Sequence, residues 1–458
     1  MKLAKSLLLG SAAALVATAG ATAADLPSKK AAPVQFVQVC TAYGAGFFTI
    51  PGTDTCLKIG GRVRADYAMS GTKDIFSSNA STAANELAAS QSLYGFEARG
   101  RVELDARTPT AYGTVQAVTS LRVARTAGVL AVSGPNSSAG TASPTLEAAY
   151  MRFAGFTFGV ARDNFAFMPS VMYGAGHWGS FANGANQLAY TAVLGGGLTA
   201  TLAIQDRSYT TAGGLAEISG TIASGYAAAV NSYYRGMPQI NARLDWDQSW
   251  GSLSLTAAVG EGRMVTSASA TTYNESKTVW AIGAGVKLEL PMLAKGDQLF
   301  LTAAYADGMT EYTTNWASFK SSDTLRNVGG NVISAHPSWV AGANGLETVK
   351  SWNVAAILTH FWAPQWRSAF MGSYGQIKAP ATAKGLDFGI TGAGSAGGFG
   401  DATVWNIGKQ IAFLPTRNFE IGVEALYARM SHDVNDGGTV ARVSSGNWTG
   451  RLRVERTF

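Results

Sequence analysis

The last eleven residues read Trp448-Thr449-Gly450-Arg451-Leu452-Arg453-Val454-Glu455-Arg456-Thr457-Phe458. Even positions give Trp448, Gly450, Leu452, Val454, Arg456 and Phe458, and odd positions give Thr449, Arg451, Arg453, Glu455 and Thr457. A period of two belongs to a β-strand. A strand with one apolar and one densely charged face suits a closed barrel with lipid outside and water inside. A soluble sandwich would turn the charged face out and pack the apolar face on a second sheet. This run alone leaves both open, and the rest of the chain decides.

At 458 residues the chain is long for one soluble domain, although closed barrels stay single beyond that size. Charged residues are 14% of the chain, against roughly 25% in soluble domains. The 54 glycines exceed the usual share of roughly 7%. Such a balance argues against an ordinary cytosolic enzyme. After the first 24 residues no apolar run approaches the ~18 residues of a spanning helix, so any membrane crossing must use strands.

The N-terminus has the form of a secretory signal: Lys2 and Lys5, an apolar run Leu7 to Val16, and Ala21-Thr22-Ala23 as a cleavage site. The expected division is a signal peptide over 1–23, a periplasmic leader with a disulfide loop over 24–56, and a barrel over 57–458. Removing Lys2 and Lys5 lowers Lys plus Arg from 35 to 33 against 29 acids, a mature charge of about +4. That balance is too small to imply nucleic acid. Cys40 and Cys56 are the only cysteines and share one short segment of an exported chain, so a disulfide is the default. Two free buried thiols are the alternative. A metal site is not expected, because no histidine lies near them.

Asp25 to Pro33, with Lys29-Lys30 and two prolines, reads as a flexible leader. Leu57 to Tyr67 then puts Arg62, Arg64 and Asp66 on one face and Val63, Ala65 and Tyr67 on the other. Similar runs recur in pairs: Leu93–Ala106 with Ala111–Ala124, Leu146–Phe153 with Phe156–Arg162, Gln187–Val193 with Leu198–Asp206, and Gln239–Trp246 with Ser252–Gly260. Val279–Leu290 with Gln298–Ala306, Trp352–Trp362 with Arg367–Gln376, and Val404–Phe413 with Phe419–Met430 complete the pairs. With the first and last runs, about sixteen strands are expected. Short turns join each pair. Ser70–Gln91, Arg207–Met237, Asp307–Val349 and Lys378–Ala402 are longer and rich in small polar residues. Short turns at one rim and long loops at the other are the layout of a transmembrane antiparallel β-barrel, with turns in the periplasm and loops outside.

Aromatic residues gather beside the short turns: Trp246 and Trp250, Trp362 and Trp366, Phe413 and Phe419, and Phe458. A headgroup-level girdle explains three such pairs better than general strand preference does. Lys409 breaks its otherwise apolar face.

The third long connection, Asp163 to about Asn186, is unlike the others. It carries Phe165, Phe167, Met168, Val171, Met172, Tyr173, Trp178 and Phe181. So apolar a loop must pack on something. Folded into the lumen it would narrow the aqueous channel of a sixteen-strand barrel; the alternative is packing at the outer rim or a subunit contact. Arg62, Arg64, Arg99, Arg101, Arg122 and Arg152 are expected to line the lumen, with Asp163 and Tyr173 at the constriction. Rows of arginine either set up a field that sorts solutes by charge, or pair with Asp66, Glu103 and Asp105 and merely stiffen the wall. Asp163 is the loop's only acid, which predicts a weak preference for anions or neutral solutes.

Signals of catalysis are missing. His177, His336, His360 and His432 show no metal spacing, and neither G-x-S-x-G nor a P-loop occurs.

The stretch Cys40-Thr-Ala-Tyr-Gly-Ala-Gly-Phe-Phe-Thr-Ile-Pro-Gly-Thr-Asp-Thr-Cys56-Leu-Lys-Ile-Gly-Gly-Arg-Val-Arg64 resembles the N-terminal signature of the alphaproteobacterial porins of the Brucella and Rhizobium type. The signal segment Ser6–Val16 and the tail Arg456-Thr-Phe458 look like that family too. The middle of the chain matches in layout alone. The resemblance implies a general porin: a homotrimeric, sixteen-stranded outer-membrane channel for passive diffusion of small hydrophilic solutes, with the third loop at its constriction. It implies outer-membrane lipid and lipopolysaccharide as surroundings, and no cofactor, nucleic acid or chemistry. Arg456 departs from the aromatic or aliphatic residue of many outer-membrane tails, and the third loop's scarcity of acids departs from enteric porins. Two other readings stand beside it: a substrate-selective channel with a saturable site at aromatics such as Tyr173 and Trp178, and a surface adhesin or structural barrel with a plugged lumen.

Overall fold

The computed structural model describes residues 38–70, 94–128, 143–167, 172–174, 184–206, 219–221, 227–229, 237–268, 271–313, 325–326, 332–333, 339–342, 345–381, 384, 397–436 and 439–458. The signal segment, the leader before residue 38, and Met168, Val171, His177, Trp178, Phe181 and His336 lie outside them.

Eighteen strands share one hydrogen-bonded sheet, of which Gln38–Val39 and Phe47–Thr49 form a short N-terminal pair. The other sixteen close on themselves. They are β1 (Cys56–Ser70), β2 (Tyr94–Thr110), β3 (Gly113–Gly128), β4 (Ser143–Phe153), β5 (Phe156–Arg162), β6 (Gly184–Gly195), β7 (Leu198–Asp206) and β8 (Gln239–Gln248). The second half is β9 (Gly251–Ala268), β10 (Thr271–Glu289), β11 (Gln298–Asp307), β12 (Lys350–Ala363), β13 (Trp366–Lys378), β14 (Gly397–Thr416), β15 (Phe419–Asp436) and β16 (Thr439–Thr457). Every neighbouring pair is antiparallel, and β16 pairs back onto β1.

Charge fixes the register of that closing seam. Asp66 stands opposite Arg453 and Arg64 opposite Glu455 as direct cross-strand partners. Both pairs are made: Arg453 Nε donates to Asp66 at 2.7 Å, and Arg64 Nε to Glu455 at 2.6 Å. A slip by one residue would send Val454 and Leu452 inward and the ions into lipid.

The faces separate as the alternation predicts. Val63, Val102, Leu202, Leu255, Ile407 and Val423 point outward and are exposed, and they belong to six strands spread around the barrel. In water such a belt would be untenable, whereas in hydrocarbon it is the required surface. The turn-side girdle includes Trp246 with Trp250, ring centroids 5.9 Å apart, and Trp366 with Phe413 at 4.9 Å. A second girdle lies at the opposite rim, formed by Tyr67 with Phe96, Trp280 with Tyr305, Trp352 with Tyr374, and Trp405 with Tyr427 and Trp448. Phe419 and Tyr427 are eight residues apart on β15. At ~3.3 Å per residue and a tilt of ~40° that is about 20 Å along the barrel axis, close to the thickness of an apolar band.

Turns at the first rim are short, as expected. Gly196 and Gly197 join β6 to β7 with φ of 58° and 81°, the left-handed pair of a type I′ hairpin. The other rim departs from strict alternation. β9 and β10 run on until only 269–270 separate them, and β15 and β16 until only 437–438 do. Polar strand extensions there stand above the apolar belt, where side-chain alternation carries no apolar signal to mark them.

Residues 38–56 fold against the start of β1. Cys40 and Cys56 form a disulfide with Cα atoms 6.0 Å apart, and Phe47–Thr49 pairs with the start of β1. Cys40, Phe47 and Cys56 are buried together, with Tyr43 packed against them.

Candidate functional site: the lumen and its third loop

The connection after β5 turns inward. Asp163, Phe165, Ala166, Met172 and Tyr173 are each buried, so the described parts of the apolar loop, 163–167 and 172–174, pack inside the barrel. Its path follows small residues on the inner wall. A Cβ on Gly283 would come within 3.0 Å of the Phe165 ring, and one on Gly408 within 3.2 Å of Met172 Cε. A Cβ on Gly285 or Gly422 would come closer still, against the Phe167 ring and the Tyr173 hydroxyl. Phe167 and Met172 then lie on an apolar patch of Phe300, Ala355, Ile357, Ala369, Met371 and Leu426.

Polar groups hold both described parts. At the root, Asp163 accepts from the Phe165 amide at 2.7 Å, the Tyr312 hydroxyl at 3.3 Å and the Asn241 amide at 3.4 Å. Arg243 donates to the Ala166 carbonyl at 2.7 Å. At the tip, Glu424 accepts the amides of Tyr173 and Gly174 at 2.6 Å each, and Arg451 donates to the Tyr173 carbonyl at 2.7 Å. The Tyr173 hydroxyl donates to Glu420, and Arg453 lies over its ring, 4.4 Å from the centroid. Tyr173 and Asp163 therefore sit within the loop's attachments, 6% and 2% exposed.

A second connection also enters. Gly308 to Thr313 bends into the barrel through a single 3-10 turn, and Tyr312 stacks on Phe165 with centroids 4.1 Å apart. Nothing in the bland composition of 307–349 signalled this. Glu420, Glu424, Arg451 and Arg453 were also missed as loop anchors, although their inward parity was readable.

The expected arginines all point inward, and most are paired. Arg64 and Arg62 reach Glu455 at 2.6 and 3.8 Å, and Arg99 reaches Glu97 at 2.9 Å. Arg101 bonds Glu103 and also lies 3.4 Å from Glu147, which Arg122 shares at 3.4 Å. The rows form a mixed ladder of both signs, not an unopposed positive field. Arg152 differs: among the described residues it has no carboxylate partner and rests on the Tyr150 ring, 4.8 Å from the centroid.

A closed sixteen-strand barrel with an apolar exterior and an inward-folded loop beside an ionic wall is a transmembrane barrel of the bacterial outer membrane. Comparison with known proteins agrees. The chain belongs to the porin subfamily, whose family model it matches over residues 25–449. Porin Omp2b of Brucella abortus is 32% identical over 260 residues, covering 55% of this chain and 64% of that protein. Omp2b of Brucella melitensis matches to the same extent. The aligned region is thus a little under two thirds of these relatives' length. Among solved structures, the outer membrane channel DcaP of Acinetobacter baumannii is similar with a TM-score of 0.57 at 16% identity, covering 90% of this chain and 99% of that one. At that identity the likeness concerns the fold alone.

Proposed function

We propose that the protein is a general porin that passes small hydrophilic solutes and ions across the outer membrane by passive diffusion. The observation that carries this reading is a connection folded inside a closed barrel and fastened to one wall, beside a wall of paired charges. Paired ions keep the wall wetted and rigid without binding a single solute tightly. Signal cleavage after Ala23, assembly as a homotrimer among lipid and lipopolysaccharide, and the roles of Arg62, Arg64, Arg99, Arg101, Arg122 and Arg152 in lining the pore belong to the same proposal. With the start of β1 and the end of β16 both at the turn rim, the short turns face the periplasm and the long loops face outward.

Liposome swelling in a series of sugars of rising mass tests it. Uptake that falls with solute size is expected, with single-channel conductance in the same preparation. Swelling in none of the sugars would instead support a plugged structural barrel.

A further inference from the structure

Below the root of the third loop, on the inner wall of β2–β8, lies a cavity of about 770 Å³. That volume falls within the ~300–1,000 Å³ of small-molecule sites. Four arginines line it, Arg107, Arg152, Arg162 and Arg243, against two acids, Asp163 and Asp245. The acids are occupied. Asp163 shapes the loop root as described, and Asp245 accepts from Arg243 Nε at 2.6 Å. Arg107 is held by Asp105 at 2.7 Å and lies over the ring of Phe47, 4.9 Å from its centroid. The N-terminal loop also bounds the cavity, where Tyr43 sets its hydroxyl 3.4 Å from that of Thr114.

Arg152 is the exception. It is exposed to the cavity, its cross-strand neighbours are the uncharged Gln116 and Thr157, and its planar group is already oriented by Tyr150. A guanidinium fixed in one plane and lacking a carboxylate among the described residues is matched by a two-oxygen face of an oxyanion.

We propose that this cavity is a binding subsite for small oxyanions, carboxylate or phosphate, anchored by Arg152. The proposal rests on the channel reading above and adds to it a saturable station on the periplasmic half of the lumen.

The test is titration of chloride current through single channels with inorganic phosphate at neutral pH, with arabinose uptake by liposomes measured on the same protein. In the unmodified channel, phosphate should reduce chloride current along a saturating curve. Arg152→Gln should raise the half-blocking concentration at least tenfold, and Arg152→Lys should raise it less. Thr157→Glu supplies a carboxylate beside Arg152 and should weaken the block by a second route, so that a failure of one variant to fold leaves the other decisive. Block that is absent or linear in the unmodified channel, or unchanged in the Gln and Glu variants, overturns the subsite. Arabinose uptake without saturable block refutes the subsite and spares the channel; no arabinose uptake refutes the channel itself.

Discussion

Replacing Glu424 by Ala removes the carboxylate that accepts the Tyr173 and Gly174 amides at 2.6 Å each. Glu424 is 6% exposed, so the buried Tyr173 amide finds no water, and the half-buried Gly174 amide little, unless the loop tip lifts from β15. A buried donor left without a partner costs about 1–3 kcal/mol, and two cost about 2–6 kcal/mol. Arg451 and Arg453 still hold the Tyr173 carbonyl, at 2.7 and 3.3 Å, so the tip stays tethered while its docked state weakens. At ~1.4 kcal/mol per tenfold, the lower figure already multiplies the undocked population by about thirty. Single-channel recording reads this as more open-channel noise and more frequent closures. Glu424→Gln, which keeps an acceptor oxygen, should fall between. Noise and conductance equal to those of the unmodified channel, in a barrel shown to be folded, would refute the assignment of Glu424 as the latch.

Arg453→Leu leaves Asp66, 3% exposed, with the looser Arg451 contact at 3.5 Å, and breaking a buried pair costs up to about 3–5 kcal/mol. The temperature at which the barrel loses its folded mobility on a detergent gel should drop, and adding Asp66→Asn should restore part of it. Arg99→Ala with Arg101→Ala uncovers Glu97 and Glu103 and leaves Glu147 to Arg122 alone, so reversal potentials in a salt gradient should move toward cations. An unmoved potential would place these groups away from the ion path. Reducing Cys40–Cys56 removes a closure over 16 positions, worth about 3 kcal/mol in the chain-entropy model. Amide exchange over 38–49 should accelerate, while exchange in β9 and β10 should not.

The barrel was legible because lipid and water impose opposite demands on alternate residues. Val63 against Arg64, or Val423 against Glu424, needs no knowledge of the neighbouring strand. The seam was legible in principle for the same reason, since Arg64 and Asp66 carry charges complementary to Glu455 and Arg453. The third loop announced itself through Phe165, Phe167, Met172 and Tyr173, too apolar to remain at a wetted rim. Its route was not readable, because Gly283, Gly285, Gly408 and Gly422 look like ordinary strand glycines until the rings that fill their missing side chains are seen. Periodicity set the arginines on the charged faces but could not count their partners. Glu147 serves Arg101 and Arg122 only because a bulge between Ser120 and Leu121 brings it to both. Tyr312 had no sequence signal, since one tyrosine in a polar connection marks nothing.

The most direct measurement of the two-faced wall is a nitroxide scan along β2, one label at a time from position 99 to 105. The two native cysteines are tied in a disulfide and do not compete for the label. In lipid vesicles, collisions with oxygen should peak at 100, 102 and 104, and collisions with a water-soluble nickel complex at 99, 101, 103 and 105. The opposite phase, or equal access of both reagents to every position, would contradict a barrel whose ionic side encloses water and whose apolar side meets hydrocarbon.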